Sequence, residues 1–231
     1  MSDAFQIGPF LLKMSMLAVV VSLSLGFVAI SAQLTHSREW KSAVIELLSH
    51  KLVLAFLVWK FSYILFDFSK ALENPSSILY FSGGENGTML AVVVVVVYLT
   101  KTVRKKAIPV HLVALAMATG FLAATGVYQL LTVVFEQSSM WYHVQQIAIC
   151  ACFLWWLQRA KEGLIHLAAW LAPVMWFAIS QVYVHFFVPN REAVFAGLSS
   201  DQLMYYTFAL LLLFLSRRVK PIGGATDEEA S

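Results

Sequence analysis

Charged side chains are scarce in this chain. Asp, Glu, Lys and Arg together make up 13% of its 231 residues, while hydrophobic residues make up 60%. Soluble domains carry about a quarter charged residues, so the composition excludes an ordinary soluble protein and indicates one that is embedded in a membrane. The basic residues are dispersed over several connections rather than gathered on one face, and this distribution argues against nucleic-acid binding.

Cysteine is also rare, with Cys150 and Cys152 as the two examples. Two residues apart on a helix, their side chains point about 200° away from each other. This geometry argues against an internal disulfide or a shared metal ion on an intact helix, and packing is the expected role of both thiols. No metal ion or other cofactor is expected in this protein.

Long apolar runs occupy most of the sequence. Crossing a ~30 Å hydrocarbon core takes about 20 helical residues, and seven segments reach or approach that length. They lie at about 9–32, 44–66, 88–100, 108–134, 140–158, 164–187 and 203–216. The predicted fold class is therefore an all-α polytopic membrane protein, with one domain over residues 1–231, seven transmembrane helices and a disordered tail at about 219–231.

Several spans have features that predict local structure. The first run has no basic leader and no cleavage site, so we expect it to be retained. The third is short, so either the Gly-rich loop before it, 83–87, dips into the membrane or the helix is strongly tilted. Ala116, Gly120 and Ala124 give the fourth span a small-residue face for close packing. Pro173 is expected to kink the sixth.

Lys and Arg residues indicate the orientation, because they concentrate in cytoplasmic connections. The first, third and fifth connections and the C-terminal segment are basic, whereas the second, fourth and sixth are mainly acidic. The basic set is Arg38, Lys41, Lys101, Arg104, Lys105, Lys106, Arg159, Lys161, Arg217, Arg218 and Lys220. The sequence therefore predicts an outside N-terminus and a cytoplasmic C-terminus.

Polar residues on different spans fall at one predicted depth, in the outer half of the membrane. Buried polar groups are costly in a bilayer without partners, so we expect Thr119, Thr125 and Gln129 to bond across a helix contact. We likewise expect His143, Gln145 and Gln146 to have partners. A shared cavity for a phospholipid headgroup would explain the whole set; the alternative is that each residue faces water. The predicted headgroup ligands are Lys60, Tyr63, Asn86, Tyr142, Gln181 and Gln202, and the candidate catalytic bases are His143 and His185.

Motifs spread over nearly the whole chain resemble the prolipoprotein diacylglyceryl transferase family. These bacterial enzymes move a diacylglyceryl group from phosphatidylglycerol to the lipobox cysteine of a preprolipoprotein. The similar segments are Phe5-Gln6-Ile7-Gly8-Pro9, Lys60-Phe61-Ser62-Tyr63, Asn74-Pro75 followed by Gly83-Gly84, Trp141-Tyr142 and Leu198-Ser199-Ser200-Asp201-Gln202. The resemblance implies a seven-span fold with a lipid-facing cavity, in a bacterial cytoplasmic membrane.

The residues that carry the family's chemistry are replaced here. Asn86 stands in place of the histidine box, Val127 and Gln181 in place of two arginines, and His143 in place of a glutamate. The family's reaction needs a base to form a thiolate and arginines to hold a phosphate. We therefore expect the fold to be kept and the transferase reaction to be lost.

Three functions follow from these observations. The first is a divergent relative without transferase activity that binds phospholipid, such as phosphatidylglycerol, or an exported or lipid-modified protein. The second is an active glyceryl or acyl transferase in lipoprotein modification, with His143 or His185 as its base. The third is a thiol-redox membrane partner that uses Cys150 or Cys152.

Overall fold

Helices make up most of the structure. The computed structural model describes residues 4–7, 10–66, 68, 84–135, 140–160, 163–189 and 191–218. This part of the chain contains seven α-helices: α1 Met14–Gln33, α2 Arg38–Phe66, α3 Gly84–Lys105, α4 Val110–Phe135, α5 Met140–Ala160, α6 Leu171–Val184 and α7 Ser200–Arg218. The predicted helical fold is confirmed. The predicted tail at 219–231 and the Asn74-Pro75 segment lie outside the described residues.

The hydropathy of the helices supports a membrane-embedded protein. Four helical segments are long and apolar enough to cross a bilayer: Glu39–Phe66, Gly84–Lys105, Val110–Phe135 and Ala168–Phe187. A shorter apolar helix, Leu17–Gln33, lies within α1. Seven crossings, the outside N-terminus and the bacterial cytoplasmic membrane stay predictions.

Two short strands precede α1 and depart from the all-α prediction. β1, Ala4–Ile7, pairs antiparallel with β2, Phe10–Lys13. The intervening Gly8-Pro9 dipeptide is a turn signal, and the strand backbone then bonds across the pair rather than along a helix. The first helix therefore begins at Met14 rather than at about residue 9.

The helix of the third span is longer than predicted, while the sixth apolar segment, Ala168–Phe187, ends where predicted and its α-helix begins later. α3 has 22 residues and begins inside the expected Gly-rich loop, where Gly84 has a left-handed φ of 59° that glycine tolerates and Glu85 complements the helix dipole. α6 begins at Leu171 after two 3-10 turns, Gly163–Ile165 and Leu167–Trp170. Pro173 is thus the third residue of α6 and lies in its first turn, where its missing N–H has no helical partner to lose, rather than in its middle.

The chain divides into two compact units, Met1–Ala29 with Met117–Ser231, and Ile30–Ala116. The single domain stays a prediction. The core of the second unit joins the end of α1, α2, α3 and the start of α4. Its buried side chains are Ile30, Leu34, Val44, Leu47, Leu99, Val103, Ile108, Val113 and Ala116.

Close helix packing in the first unit depends on small residues. Gly26 on α1 faces α4, and a Cβ added to it would lie 2.9 Å from the Gly120 carbonyl oxygen and 3.1 Å from the Ala124 Cβ. The small-residue face predicted on the fourth span is therefore a packing face, and α1 contacts it at Gly120 and Ala124. Small residues allow this approach because they leave room for the opposing backbone.

We expect Gly26→Ala to destabilise the fold by about 1–3 kcal/mol, because the new methyl group would overpack against backbone that cannot move aside. Gly126→Ala is the matched control, since its added Cβ would lie 3.4 Å from the Cys150 Cβ, an ordinary contact. The free energy of unfolding in detergent, measured for both variants, tests this packing. Equal stabilities would show that the contact between α1 and α4 is looser than described.

Candidate functional site

A pair of buried glutamines links α5 to α6. The Gln146 amide nitrogen donates to the Gln181 side-chain oxygen at 2.8 Å, and the Gln181 amide nitrogen donates back to Gln146 at 3.2 Å. Each side chain is 4% exposed. Each amide thereby gains one donor and one acceptor partner, as buried polar groups require. The expectation that Gln146 has a partner is confirmed, whereas the side-chain oxygen of Gln145 is buried without one in the part of the chain that the structure describes.

A second polar contact joins α4 to α5 near the glutamine pair. The Nδ1 atom of His143 lies 2.6 Å from the side-chain oxygen of Gln129. Because an amide oxygen can only accept, Nδ1 carries the proton in this contact. Gln129 thus bonds to another helix, as expected, whereas the buried Thr119 hydroxyl has no hydrogen-bond partner among the described residues and the expectation for it is wrong.

Aromatic and imidazole rings form a row beside these amides. The ring centroid of Tyr142 lies 5.1 Å from that of His143 and 6.1 Å from that of His185, and His185 lies 5.3 Å from Tyr205. The Nδ1 atom of His185 lies 2.7 Å from the Gln181 carbonyl oxygen, so it too must be the protonated nitrogen. In the neutral ring the Nε2 atom of His185 then carries the lone pair.

Gln202 holds the start of α7 against the end of α6. Its side-chain oxygen accepts from the Ser199 backbone N–H at 2.9 Å, and its amide nitrogen donates to the Val182 carbonyl at 3.0 Å. The Gln202 backbone N–H in turn lies 3.4 Å from the Ser199 hydroxyl, which completes a capping box. Gln202 is 0% exposed. These bonds give it a structural role, and its role as a lipid ligand stays a prediction.

Arg191 adds a positive charge to this end of the helices. Its Nη1 atom donates to the Gln202 side-chain oxygen and to the Gly197 carbonyl, both at 2.8 Å. Its guanidinium carbon lies 4.8 Å from the centre of the Phe186 ring. Three contacts therefore fix a cation that is not among the predicted headgroup ligands.

Together these residues form one network, which we call the polar cluster. It comprises Gln129, Tyr142, His143, Gln146, Gln181, His185, Arg191, Gln202 and Tyr205. The network joins the C-terminal parts of α4 and α6 to the N-terminal parts of α5 and α7, so consecutive helices run in opposite directions. The structure thus brings together five predicted site residues, Tyr142, His143, Gln181, His185 and Gln202.

The remaining predicted ligands belong to the other compact unit. Tyr63 on α2 is buried, Lys60 on the same helix is half-buried, and Asn86 is exposed in the first turn of α3. α2 and α3 pack closely beside them, because a Cβ on Gly87 would lie 3.3 Å from the Trp59 carbonyl and the Ser62 Cβ. A single cavity shared by all the predicted ligands stays a prediction.

Sequence analysis missed Arg191 and Tyr205 as members of the cluster. Arg191 lies eleven positions before its partner Gln202, in a connection whose path no helical spacing predicts. The 3-10 turn before it ends at Phe187, so Arg191 lies outside regular structure and its contacts cannot be predicted from its spacing. Tyr205 was a clearer case, because it follows Gln202 by three positions and therefore lies on the same face of α7.

The described residues contain no group of three or more His, Cys, Asp or Glu side chains that could hold a metal ion. Cys150 is buried, Cys152 is exposed, and both are free thiols. The cluster itself offers amides, imidazoles, phenols and one guanidinium, a set that can donate hydrogen bonds to an anion.

No protein-family model matches the chain, and no curated protein matches it either. The resemblance to the diacylglyceryl transferases therefore stays a prediction that rests on the motifs alone.

We expect Gln146→Leu and Gln181→Leu each to destabilise the fold by about 1–3 kcal/mol, because each leaves the other amide buried without its partner. The double Leu variant should lose much less than the sum, since both polar groups are then gone. Unfolding of the four proteins of this cycle in detergent measures the coupling. Strictly additive losses would mean that the two glutamines do not depend on each other.

Proposed function

We propose that this protein binds the headgroup of an anionic phospholipid at the polar cluster and does not transfer a diacylglyceryl group. The observation that carries the proposal is the fixed guanidinium of Arg191. A guanidinium has five N–H donors, and the two bonds from Nη1 use two of them. The edge formed by Nε and Nη2 is the geometry that holds a phosphate through two parallel hydrogen bonds.

The charge of Arg191 is well suited to an external anion. Arg191 takes part in neither of the described ion pairs, His50 with Glu46 and Lys106 with Glu46. Its described partners are a neutral amide and a neutral carbonyl. A phosphate would therefore supply the countercharge, and the phenol and imidazole groups nearby would bond to glycerol hydroxyls or phosphate oxygens.

The loss of transferase chemistry is supported by what Gln181 does. At the position matched to a family arginine, this side chain is a neutral amide committed to Gln146. Val127 has no polar group at the other matched position. An exported or lipid-modified protein is the second ligand implied by the resemblance, because such a protein carries the same lipid moiety at its modified cysteine.

The chain should fail to rescue bacteria depleted of their diacylglyceryl transferase, because the matched positions carry no paired arginines to stabilise the charge that develops on the phosphate. The measurement is growth together with lipoprotein processing, at expression equal to that of a rescuing control enzyme. Full rescue by the unaltered sequence would contradict the proposal.

Arg191→Gln should weaken binding of dihexanoyl phosphatidylglycerol about tenfold or more, since hydrogen bonds to charged groups contribute roughly 1.5–3 kcal/mol. Calorimetry in detergent, with dihexanoyl phosphatidylcholine as the competing headgroup, measures this change. Arg217→Gln is the matched control, because Arg217 is exposed in the last turn of α7, away from the cluster. Equal binding by both variants would remove Arg191 from the site.

One observation favours the alternative of an active transferase. With Nδ1 of His185 bonded to the Gln181 carbonyl, Nε2 is the nitrogen that can accept a proton. A base in that tautomer could form the thiolate that attacks the lipid. If the purified protein transfers a diacylglyceryl group to a lipobox peptide, and His185→Ala abolishes the transfer while His50→Ala does not, this alternative replaces the first.

A further inference from the structure

An apolar crevice of about 410 Å³ lies between the C-terminal part of α5 and the N-terminal part of α6, away from the polar cluster. Its walls include Trp155 and Trp156 on α5, and Pro173 and Trp176 on α6. A second, narrower cavity of about 160 Å³ adjoins it through Phe153, Trp156 and Pro173. The larger volume falls in the range of about 300–1,000 Å³ that is usual for ligand pockets.

The crevice is separate from the polar cluster. Phe153 lies seven residues after Gln146 on α5, which corresponds to about 10 Å along the helix axis. Between these levels Cys150 and Ala178 are almost completely buried, with 1% and 2% exposed. α4 also approaches α5 there, since a Cβ on Gly126 would lie 3.4 Å from that of Cys150. A packed layer therefore divides the two regions.

A cation lies at the mouth of the crevice. The guanidinium carbon of Arg159 lies 4.5 Å from the centre of the Trp155 ring, which is itself part of the crevice wall. Arg159 is exposed in the last turn of α5. Cys152, which also lines the crevice, lies about 10 Å from Arg159 along the helix axis. The crevice therefore has a charged group at its rim and apolar side chains along its length.

The geometry points to a second lipid site, in which the phosphate of an anionic phospholipid contacts Arg159 and one acyl chain lies in the crevice between α5 and α6. The charge at the rim and the apolar walls match the two ends of such a lipid. The walls offer an acyl chain favourable contacts without hydrogen bonds to lose, and basic groups between membrane helices are typical sites for anionic headgroups. This end of α5 is the one that the charge distribution predicts to face the cytoplasm. The site does not depend on the proposed function, because it uses none of the residues of the polar cluster.

The test uses the full chain reconstituted in bilayers that mix brominated phosphatidylglycerol with phosphatidylcholine. Bromine on the acyl chains quenches nearby tryptophan fluorescence, and Trp155, Trp156 and Trp176 report on the crevice. Arg159→Gln should reduce the preference for phosphatidylglycerol about fivefold, the effect expected of one basic group near an anionic lipid. Arg218→Gln is the matched control, because Arg218 stacks on Phe214 at 4.5 Å in the last turn of α7.

Ala172→Phe tests the acyl-chain part of the site, since Ala172 lines the crevice. It should reduce quenching by brominated phosphatidylglycerol, with affinity falling about fourfold for each methylene that is displaced from the crevice. Ala151→Phe is its control, an exposed position on α5 outside the crevice wall. Arg191→Gln should leave the preference unchanged, which separates this site from the polar cluster.

Three results would overturn the second site: no preference for phosphatidylglycerol in the unaltered protein, an equal loss in Arg159→Gln and Arg218→Gln, or equal quenching in Ala172→Phe and Ala151→Phe. An equal loss would indicate general attraction of the lipid to basic helix ends.

Discussion

The mutual satisfaction of buried amides is the constraint on which the first unit depends. A bilayer interior offers no water to an unpaired polar group, so a partner inside the protein lowers the cost of burying it. In the described part of this unit, the Thr119 hydroxyl and the Gln145 side-chain oxygen are buried without one. Gln146 and Gln181 find such a partner in each other, Gln129 in His143, and Gln202 in Ser199 and Val182. These bonds fix the rotation of α5 against α6 and the start of α7, and the rings of Tyr142, His185 and Tyr205 are held between them. The hydrogen bonds that hold the helix ends together therefore also bring the site residues together.

The same constraint explains why His143 and His185 are not equally suited to proton transfer. Both Nδ1 atoms in the cluster face an oxygen that can only accept, so each ring has one tautomer when it is neutral. His143 is joined to another helix through its Nδ1, whereas His185 uses a carbonyl one turn back along its own chain. A change at Gln129 would therefore reorient His143, but His185 would keep its tautomer as long as the end of α6 stays helical. This independence makes His185 the better candidate for proton transfer.

Much of the fold could be predicted from the sequence, because apolar runs of about 20 residues have few alternatives to a helix in a membrane. The limits of the helices were less predictable. The sequence predicts Pro173 in the middle of a helix, but it lies in the first turn. It also predicts a loop at the glycines before α3, but the helix begins among them. Proline fits both a helix start and a kink, and glycine fits both a loop and a helix end, so packing of the neighbouring turns decides which one forms.

The depth of the site residues in the membrane could be predicted from the sequence, but their hydrogen-bond partners could not. Helical spacing shows which residues share a face of one helix, so Gln146, Gln181 and His185 could be placed at one level, but spacing carries no information on how two helices rotate against each other. Arg191 was missed for the same reason, because its partner lies across a connection with no regular structure.

The position of Gly126, Cys150 and Ala178 has a consequence for both proposed lipid sites. Cys150 and Ala178 are almost completely buried, and a Cβ on Gly126 would be in ordinary contact with that of Cys150, so side chains fill this level of α4, α5 and α6. An acyl chain in the crevice at Trp156 and Trp176 is therefore kept from the polar cluster, since a filled interior has no space of that size. A lipid at one site and a lipid at the other would then bind without contact between them.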